Sequence, residues 1–370
     1  MKLAILGIRG IPARHGGFET FAEKLALYLA ERKWDVTVYC QEQGDSPIYQ
    51  DNWKGVKRIR VPVRQTGALG TIVFDWKSTL LAARSKSAIL TLGYNTAVFC
   101  IWYRLKGIRN LINMDGIEWR RQKWNVFQKT WLYINERLGC RLGNHLIADH
   151  PEIGKHLATR VSTEKVTIIP YGAEVLSDAD SKVIDKMGLA KGKYVLVIGR
   201  PEPENSILEI VRAFSTRRRG LPLIILGNYY PNRNQFHRQV MSAASEEVIF
   251  PGAIYDKATV GALRYHCQLY VHGHRVGGTN PSLVEALGAG SPVLAHDNVF
   301  NRWVAGSGAH YFNDELECAK ELDRLLSNEQ ELSRMQWASK KRHREDFLWD
   351  MVLQKYEFLL SGLSMPVEKP

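Results

Sequence analysis

The sequence predicts an α/β protein with two similar domains, each built on a parallel sheet, and three observations lead to this fold class. The chain has 370 residues, and at about 100 to 200 residues per domain this length favours two domains. Each half opens with an aliphatic run that ends at glycine, KLAILG at the start and KYVLVIG from Lys193. Strand-like runs then alternate with helical patterns, which is typical of βαβ units around a parallel sheet.

The strand-like runs fall into two groups that a polar stretch separates. Those of the first half are DVTVYC, SAILTLG, NLINMDG, NHLIADH and KVTIIPYG, and those of the second half are LPLIILGN, EVIFPGA, CQLYVHGH and SPVLAHDN. The polar stretch 175–192 marks the boundary, so we expect domains at residues 1–175 and 176–345. Charged and apolar residues at helical spacing from Leu332 to Leu363 predict a helical C-terminal tail at 346–370.

Two similar domains suggest a cleft between them. Ligands of open parallel sheets bind beyond the carboxyl ends of the strands, so functional residues are expected in the strand-to-helix loops.

Net charge is +12 and unevenly distributed. Residues 1–175 contain 26 Lys and Arg against 15 Asp and Glu, or +11, while residues 176–370 contain 24 against 23, or +1. A basic half suits a phosphorylated substrate, an anionic membrane surface or nucleic acid. The five cysteines are scattered without a CxxC pair, which fits a reducing cytoplasm. The apolar stretch from Ser87 to Tyr103 is interrupted by polar residues and glycine, so no membrane-spanning helix is expected.

The stretch HGHRVGGTNPSLVEALGAG contains the clearest candidate site. Gly277 and Gly278 allow close approach of the backbone, Asn280 is placed as a helix cap, and Pro281 occupies the first helical position. A helix N-terminus with exposed amides is a ready anion site, and phosphate is its commonest occupant. Glu285 follows on the same helix face, about 6 Å from Pro281 along the axis, where it could accept hydrogen bonds from a ribose.

Two further observations favour a ligand here over a capped helix with one solvated glutamate. The residues around Glu285 are apolar nearly all round the helix, and a buried carboxylate without a partner is costly. Arg200 follows the first strand of the second half, where its guanidinium could clamp a diphosphate and stabilise it as it leaves. An arginine at a strand end is often only a surface residue, so it counts only together with the turn and the acid.

Taken together, these segments resemble the retaining glycosyltransferases of family 4, and more narrowly their bacterial rhamnosyltransferase-like subgroup. The strings GGFETFAEKL, NMDGIEWRRQKW, IPYGAE and HGHRVGGTNPSLVEA carry the resemblance and span nearly the whole chain. It implies the GT-B fold, with two Rossmann-like domains facing across a cleft. It also implies a nucleotide-diphosphate sugar bound mainly by the second domain, an acceptor bound mainly by the first, and neither a metal nor another cofactor.

The resemblance assigns roles to individual residues. Arg200 would hold the diphosphate, the amides around Thr279 to Leu283 the distal phosphate, and Glu285 the ribose. Gly16 and Gly17, at the start of the first helix, would approach the donor phosphate or sugar across the cleft. The residues expected to contact the donor are Gly16, Gly17, Asn205, Gly278, Thr279, Asn280, Ser282, Leu283 and Glu285.

The chain departs from the broad family at two positions. The family carries a glutamate eight residues before the position of Glu285, where this chain has Gly277, and a lysine where this chain has Asn205. The resembled subgroup shares both changes, so they indicate a different donor, with dTDP-rhamnose as the prediction. A UDP-sugar such as UDP-N-acetylglucosamine is the alternative donor, and a non-catalytic nucleotide-sugar-binding subunit is the alternative class of protein.

Asp115 is the candidate for acceptor activation in the first half. It ends a predicted strand, where many relatives have a histidine near the reacting sugar, and it could orient or deprotonate an acceptor hydroxyl. Aspartate before glycine is also a common turn residue, and Glu118 is a second candidate for the role. The predicted catalytic residues are therefore Asp115, Arg200 and Glu285. The resemblance implies retention at the anomeric carbon, with the departing phosphate oxygen taking the acceptor proton.

The stretch from Trp119 to Arg141 interleaves aromatic and basic side chains. Such a pattern binds an anionic bilayer surface or nucleic acid, and no nucleic-acid-binding motif accompanies it. We therefore expect a cytoplasmic protein, peripheral at the inner face of the membrane, that takes a lipid-linked saccharide and no nucleic acid. Tryptophans at helical spacing are more often core residues, so only part of the stretch need be exposed.

Four other patterns are interpreted as structural. The Asp-Ala-Asp sequence at residues 178–180 resembles a metal-binding DxD motif but lies in the polar linker. His272 and His274 have no cysteine or carboxylate at ligand spacing, so the sequence predicts no metal. His150 is interpreted as a helix-cap neighbour. GIRGIPARHGG lacks the GxGxxG spacing of a dinucleotide site, which argues against an oxidoreductase.

Overall fold

The computed structural model of the protein describes residues 1–14 and 16–364, which divide into two compact units. Unit 1 is Met1–Pro170 with the chain from Asp350 onward, and unit 2 is Tyr171–Trp349. Residues 365–370, which the sequence assigned to the helical tail, lie outside the described residues. Both units are α/β with a sheet at the centre, as the sequence predicted.

Unit 1 contains an eight-stranded sheet in the part of the chain that the structure describes. Its strands are β1 (Lys2–Leu6), β2 (Asp35–Gln43), β3 (Tyr49–Trp53), β4 (Val56–Val63), β5 (Ala88–Leu92), β6 (Asn110–Asn113), β7 (His145–Ala148) and β8 (Val166–Ile168). Their order is β3-β4-β2-β1-β5-β6-β7-β8, and every pair is parallel except β3 with β4. The β3–β4 hairpin adds to the predicted strands, because VKRIRVPV mixes basic with apolar residues and lacks the aliphatic run of a central strand.

The helices of unit 1 cover the sheet and begin at recognisable signals. Those before residue 170 are α1 (Gly17–Glu31), α2 (Gly67–Ala82), α3 (Ile101–Leu105), α4 (Val126–Leu142) and α5 (Pro151–Ala158). Asn125 and Gln128 form a capping box at the start of α4. His150 caps α5, since its Nδ1 accepts a hydrogen bond from the Glu152 amide at 3.0 Å. The cap role matches the interpretation of His150 from the sequence.

Unit 2 contains a six-stranded parallel sheet within its described residues. Its strands are β9 (Val195–Ile198), β10 (Leu223–Leu226), β11 (Val248–Gly252), β12 (Leu269–His272), β13 (Val293–His296) and β14 (His310–Phe312). The order β11-β10-β9-β12-β13-β14 is the 3-2-1-4-5-6 order of the doubly wound Rossmann fold. It reverses between β9 and β12, which makes that point the expected ligand crevice of this unit.

Helices flank both faces of this second sheet. They are α6 (Lys182–Asp185), α7 (Ile207–Ser215), α8 (Gln235–Ser242), α9 (Lys257–His266), α10 (Pro281–Gly288), α11 (Val299–Ala305), α12 (Glu315–Leu326) and α13 (Glu329–Asp346). Alternate strand residues feed two apolar cores: Leu196 and Tyr270 pack with α10 on one face, and Val195 and Val271 pack with α7 on the other. The sheet is therefore buried on both sides, as a parallel sheet must be.

The last helix, α14 (Trp349–Ser364), confirms the helical C-terminal end and belongs with unit 1. Tyr356 is buried there, and its hydroxyl accepts a hydrogen bond from Asn113 Nδ2 at 2.8 Å. Tyr28 donates to Glu357 at 2.9 Å from helix α1. Unit 1 thus takes its side chains from both ends of the chain.

Among residues 1–14 and 16–364, every helix falls short of the length or the apolarity needed to cross a bilayer.

Candidate functional site

The turn and the helix that the sequence singled out lie at the reversal point of the second sheet. The loop after β9 carries Arg200, and the loop after β12 carries Gly277 to Asn280. The two loops touch, because a Cβ built on Gly273 would come within 2.2 Å of the Asn205 carbonyl oxygen. The amide of Arg275 also donates to the Glu204 carbonyl at 3.0 Å. The fold therefore places the two loops that carry the predicted donor residues of unit 2 against each other.

The start of α10 follows the predicted capping pattern. Asn280 Oδ1 accepts from the Ser282 amide at 3.0 Å, and the Asn280 carbonyl accepts from the Leu283 amide at 3.1 Å. Pro281 occupies the first helical position, as expected. The Ser282 and Leu283 amides, which were expected to face a phosphate, are thus engaged by the cap. Gly278, in the turn before, has no hydrogen-bond partner among the described residues, so its amide is available to an anion.

Glu285 does not lie in the environment that the sequence predicted. Its side chain is 36% exposed and forms an ion pair with Arg264, with Arg264 Nη2 2.6 Å from Glu285 Oε2. The inference of a buried carboxylate without a partner is therefore wrong, because α9 supplies an arginine that the spacing along α10 could not reveal. Glu285 nevertheless lies on α10, the helix that follows β12 at the reversal point of the sheet.

Arg264 is the functional candidate that sequence reasoning missed. It is buried, and Nη2 also donates to the Ser282 hydroxyl at 3.2 Å, while that hydroxyl is 2.7 Å from the Tyr270 hydroxyl. This network fixes one edge of the Glu285 carboxylate. No described residue bonds to the other oxygen, Oε1, so the carboxylate keeps acceptor sites for ligand hydroxyls. The only feature of the sequence that could have indicated Arg264 is its position as the one arginine in the last turn of α9, the helix before β12.

His272 lies at the end of β12, next to this network. It is buried, its ring stacks on His274 at 4.4 Å, and neither ring nitrogen has a hydrogen-bond partner in the described part of the chain. Burial lowers the pKa of His272 well below its ordinary value, and the charges of His274, Arg264 and His296 lower it further. His272 is therefore neutral. In the described residues, no group of three or more His, Cys, Asp or Glu side chains is placed to hold a metal ion.

Arg200 and Asn205 have different environments in the loop after β9. The Arg200 side chain is exposed, and no acid of the described residues pairs with it. Asn205 is buried, and its Nδ2 donates to the Arg200 carbonyl at 2.8 Å. Asn205 thus fixes the backbone from which Arg200 extends, and the arginine remains free for an anion.

Asp115 lies in unit 1, directly after β6. Its φ of 51° is in the left-handed region, which suits the turn that Asp-Gly predicted, and its amide donates to Asn113 Oδ1 at 3.0 Å. Burial raises the pKa of Asp115 to about 6, and the negative charge of Glu118 adds to the rise. Glu118 itself pairs with Arg121 at 3.0 Å. The carboxylate of Asp115 therefore titrates close to neutrality.

Gly16 and Gly17 also belong to unit 1. Gly16 has a φ of 87°, and a Cβ there would lie 2.5 Å from Glu19 Oε2, so the position requires glycine. Gly17 is the first residue of α1. Gly16, Gly17 and Asp115 are thus in one unit, and the other predicted site residues are in the second.

The aromatic and basic stretch divides into a packed part and an exposed part. Trp119 Nε1 donates to the buried Glu136 at 2.7 Å, so this tryptophan belongs to the packing of α4. Val126 and Phe127, in the first turn of α4, are 76% and 87% exposed. Lys129 follows in the same turn. The structure therefore agrees with the expectation that only part of the stretch is exposed.

Family comparisons match the two halves of the chain to two different families. Residues 1–174 match a domain of unknown function, DUF1972, and residues 181–343 match glycosyl transferases group 1. The second half is therefore a glycosyltransferase group 1 domain of the GT-B type. No curated protein matches the chain in sequence.

Solved structures share the fold over nearly the full length. Sucrose-phosphate synthase from Thermosynechococcus elongatus is 17% identical with a TM-score of 0.81, and 98% of each chain is covered. Anabaena HepE in complex with UDP and glucose is 16% identical with a TM-score of 0.77, covering 98% of this chain and 99% of HepE. The UDP-forming α,α-trehalose-phosphate synthase from Burkholderia xenovorans, in complex with glucose 6-phosphate, is 13% identical with a TM-score of 0.75, covering 98% and 100%. These likenesses confirm the predicted GT-B class, with two Rossmann-like domains.

Proposed function

We propose that the protein is a retaining glycosyltransferase that moves a sugar from a nucleotide-diphosphate donor to a lipid-linked saccharide in bacterial polysaccharide synthesis. The observation that carries this proposal is that the loop of Arg200 contacts the loop that leads through the Gly278 turn into the helix of Glu285, at the reversal point of the second sheet. An unpaired guanidinium and a free amide suit a diphosphate. One turn along the helix, a half-exposed carboxylate with a free oxygen suits the diol of the attached ribose.

In the proposed reaction, the residues of unit 2 bind and polarise the donor. Arg200 offsets the negative charge that grows on the diphosphate as the sugar leaves, and the amides of the turn contribute in the same direction. Arg264 holds Glu285 so that the carboxylate need not reorganise when the ribose binds. The binding set in unit 2 comprises Arg200, Gly278, Thr279, Asn280, Ser282, Leu283 and Glu285, with Asn205 fixing the Arg200 backbone.

The residues of unit 1 are proposed to serve the acceptor. Asp115 orients the acceptor hydroxyl, and its raised pKa lets it share the proton as the hydroxyl attacks. The departing phosphate oxygen takes that proton on the same face of the sugar, so the anomeric configuration is retained. Gly16 and Gly17 expose backbone to the donor without a side chain in the way.

The donor is proposed to be dTDP-rhamnose, on the basis of Gly277 and Asn205, which replace charged residues of the broad family. A UDP-sugar is the second candidate, because the HepE structures hold UDP and UDP-glucose. Thermal unfolding with dTDP and with UDP distinguishes them. A ligand at 100 times its Kd stabilises the native state by about 2.7 kcal/mol, and at equal concentrations the nucleotide with the lower Kd gives the larger rise in Tm. Stabilisation by UDP alone rejects the rhamnose donor.

A non-catalytic nucleotide-sugar-binding subunit is the alternative class of protein. Both classes predict nucleotide binding, but only an enzyme transfers or hydrolyses the sugar. Donor turnover by the purified protein that is lost in Arg200→Ala and Glu285→Ala supports the enzyme. Nucleotide binding without any turnover, across a panel of lipid-linked acceptors, supports the subunit.

We further propose that the first turn of α4 touches an anionic membrane, where a lipid-linked acceptor resides. Exposed apolar side chains flanked by lysines partition into an anionic lipid surface. Phe127→Ser should weaken sedimentation of the protein with phosphatidylglycerol vesicles, whereas Phe358→Ser should not. Phe358 is a matched control because it is 83% exposed on α14 of the same unit. Equal binding of all three proteins would contradict the proposal.

A further inference from the structure

Unit 1 contains a polar cleft to which no role has yet been assigned. Its volume is about 530 Å³, within the range of small-molecule sites. It is lined by the loop that follows β1, by the end of β2 and by Arg60 of β4. The loop contributes Arg9 and Arg14, and the end of β2 contributes Gln41 and Glu42. We call it the arginine cleft.

The loop that carries the two arginines is held at three points. The Gln41 amide donates to the Arg9 carbonyl at 2.8 Å, and the Ala13 amide donates to Glu23 Oε2 at 2.5 Å. Between them, Arg58 Nη1 donates to the Ile11 carbonyl at 3.1 Å.

Arg58 is itself fixed. It is buried, and two of its nitrogens lie 2.7 Å from the two carboxylate oxygens of Asp51. A bidentate pair of this kind sets the orientation of the guanidinium as well as its position. The fixed Arg58 guanidinium therefore holds the loop in place, so that the cleft is preorganised for a ligand.

The charges in the cleft are unevenly matched. Arg60 has acids on two sides, with Glu42 and Asp51 each at 3.3 Å. Arg9 and Arg14 are exposed, and neither pairs with an acid among the described residues. Glu19 also lines the cleft, so acceptor and donor groups are both present beside the two free cations.

We propose that the arginine cleft binds a phosphorylated sugar, with Arg9 and Arg14 gripping the phosphate and Gln41 and Glu19 hydrogen-bonded to sugar hydroxyls. Planar guanidinium groups match phosphate oxygens in geometry as well as charge. The cleft lies at the carboxyl edge of the parallel strands, where ligands of such sheets bind. The proposal rests on the proposed function for one point only: the phosphorylated sugar is the acceptor. Its phosphate belongs either to a soluble sugar monophosphate or to a lipid diphosphate.

Calorimetry on the full-length protein tests the cleft with three probes: glucose 6-phosphate, farnesyl-diphosphate-linked N-acetylglucosamine in detergent, and glucose. The variant is Arg9→Gln with Arg14→Gln. The matched control is Arg84→Gln with Lys86→Gln, which removes two exposed positive charges elsewhere in unit 1. Loss of two charge-assisted contacts should weaken binding of the phosphorylated probe about 100-fold, or about tenfold for each arginine. Glucose should bind far more weakly to every protein.

Each result has a defined meaning. Arginine-dependent binding of glucose 6-phosphate assigns a soluble sugar phosphate, and that of the diphosphate probe assigns a lipid-linked one. The proposal is overturned when neither probe binds, or when the control loses as much affinity as the variant. UDP and dTDP binding, measured in parallel, separates this from the proposed function. Nucleotide binding without arginine-dependent probe binding rejects the arginine cleft alone, and the reverse result rejects the proposed donor site alone.

Discussion

At the scale of single residues, the proposed donor site depends on the pair of Glu285 and Arg264. Arg264 contacts Oε2 of Glu285, and no described residue donates a hydrogen bond to Oε1. In the proposed site, Oε1 is therefore left for the ribose diol. If Glu285 only paired with Arg264, another hydrogen-bond acceptor for Arg264, such as glutamine, could replace it without loss of nucleotide binding. A ribose ligand needs the carboxylate itself.

We predict that Glu285→Gln weakens nucleoside diphosphate binding about tenfold or more, because hydrogen bonds to a charged acceptor contribute about 1.5 to 3 kcal/mol. Calorimetric titration measures the change. The control is Asp297→Asn, which breaks another carboxylate–arginine pair of unit 2, with Arg302. Equal affinity of Glu285→Gln and the control would show that Glu285 only partners Arg264.

Asp115 gives a prediction for pH. Its folded pKa of about 6 lies above its ordinary value of 3.8, so the folded state binds the proton more tightly than the unfolded chain does. The resulting contribution to stability is fully present below pH 4 and is lost as pH rises through 6. Asp115→Asn should therefore be more stable than the wild type at pH 7.5, and this advantage should vanish near pH 4.

Urea unfolding at the two pH values measures this difference, with Asp185→Asn as a control that changes an exposed aspartate in unit 2. The same substitution that raises stability at pH 7.5 should lower transfer activity. The wild type should lose activity as pH falls through about 6, and Asp115→Asn should be slow throughout. A variant that is no more stable at pH 7.5 would contradict the raised pKa.

At the scale of elements, the N-terminus of α10 combines a cap with the proposed anion site, and one substitution separates the two. Asn280→Asp keeps the side-chain oxygen that caps the helix, so Tm should change little. The new negative charge should repel a diphosphate and weaken nucleotide binding severalfold. Asn234→Asp is the matched control, since Asn234 caps α8 in the same way. Equal nucleotide affinity in the two variants would place the diphosphate elsewhere.

Much of this element could be predicted from its sequence, and the reason is local. The cap by Asn280 and the first position of Pro281 depend on bonds within a few residues, which spacing along the chain specifies. The Arg264 contact depends on how α9 packs beside α10, and spacing along one helix carries no information about its neighbour. The pKa of Asp115 was hidden for the same reason, since burial is a property of the folded unit.

The hairpin of β3 and β4 shows the same limit at a sheet edge. Asp51 of β3 fixes Arg58 of β4, and Arg58 holds the loop of the arginine cleft. From the sequence, VKRIRVPV showed only mixed charge and apolar residues. Its role became clear once the strands were paired.

At the scale of the whole molecule, the chain closes unit 1 with its own last helix. Asn113 is a buried side chain of β6, and Tyr356 of α14 is the acceptor for its amide. We predict that Tyr356→Phe lowers the free energy of unfolding by about 1 to 3 kcal/mol, because a buried donor is left without its acceptor. Chemical denaturation measures this loss. Tyr265→Phe, which removes an exposed hydroxyl bond to the Ser177 carbonyl, should cost much less.

That closing helix bears on how such proteins can be recombined. The backbone passes from unit 1 to unit 2 once near residue 170 and returns near residue 350. If unit 2 binds the donor as proposed, an exchange of donor specificity between two homologues must transplant the internal segment Tyr171–Trp349 and keep the recipient's own C-terminal helix. A simple crossover near residue 170 would give each hybrid a terminal helix evolved for the wrong partner surface.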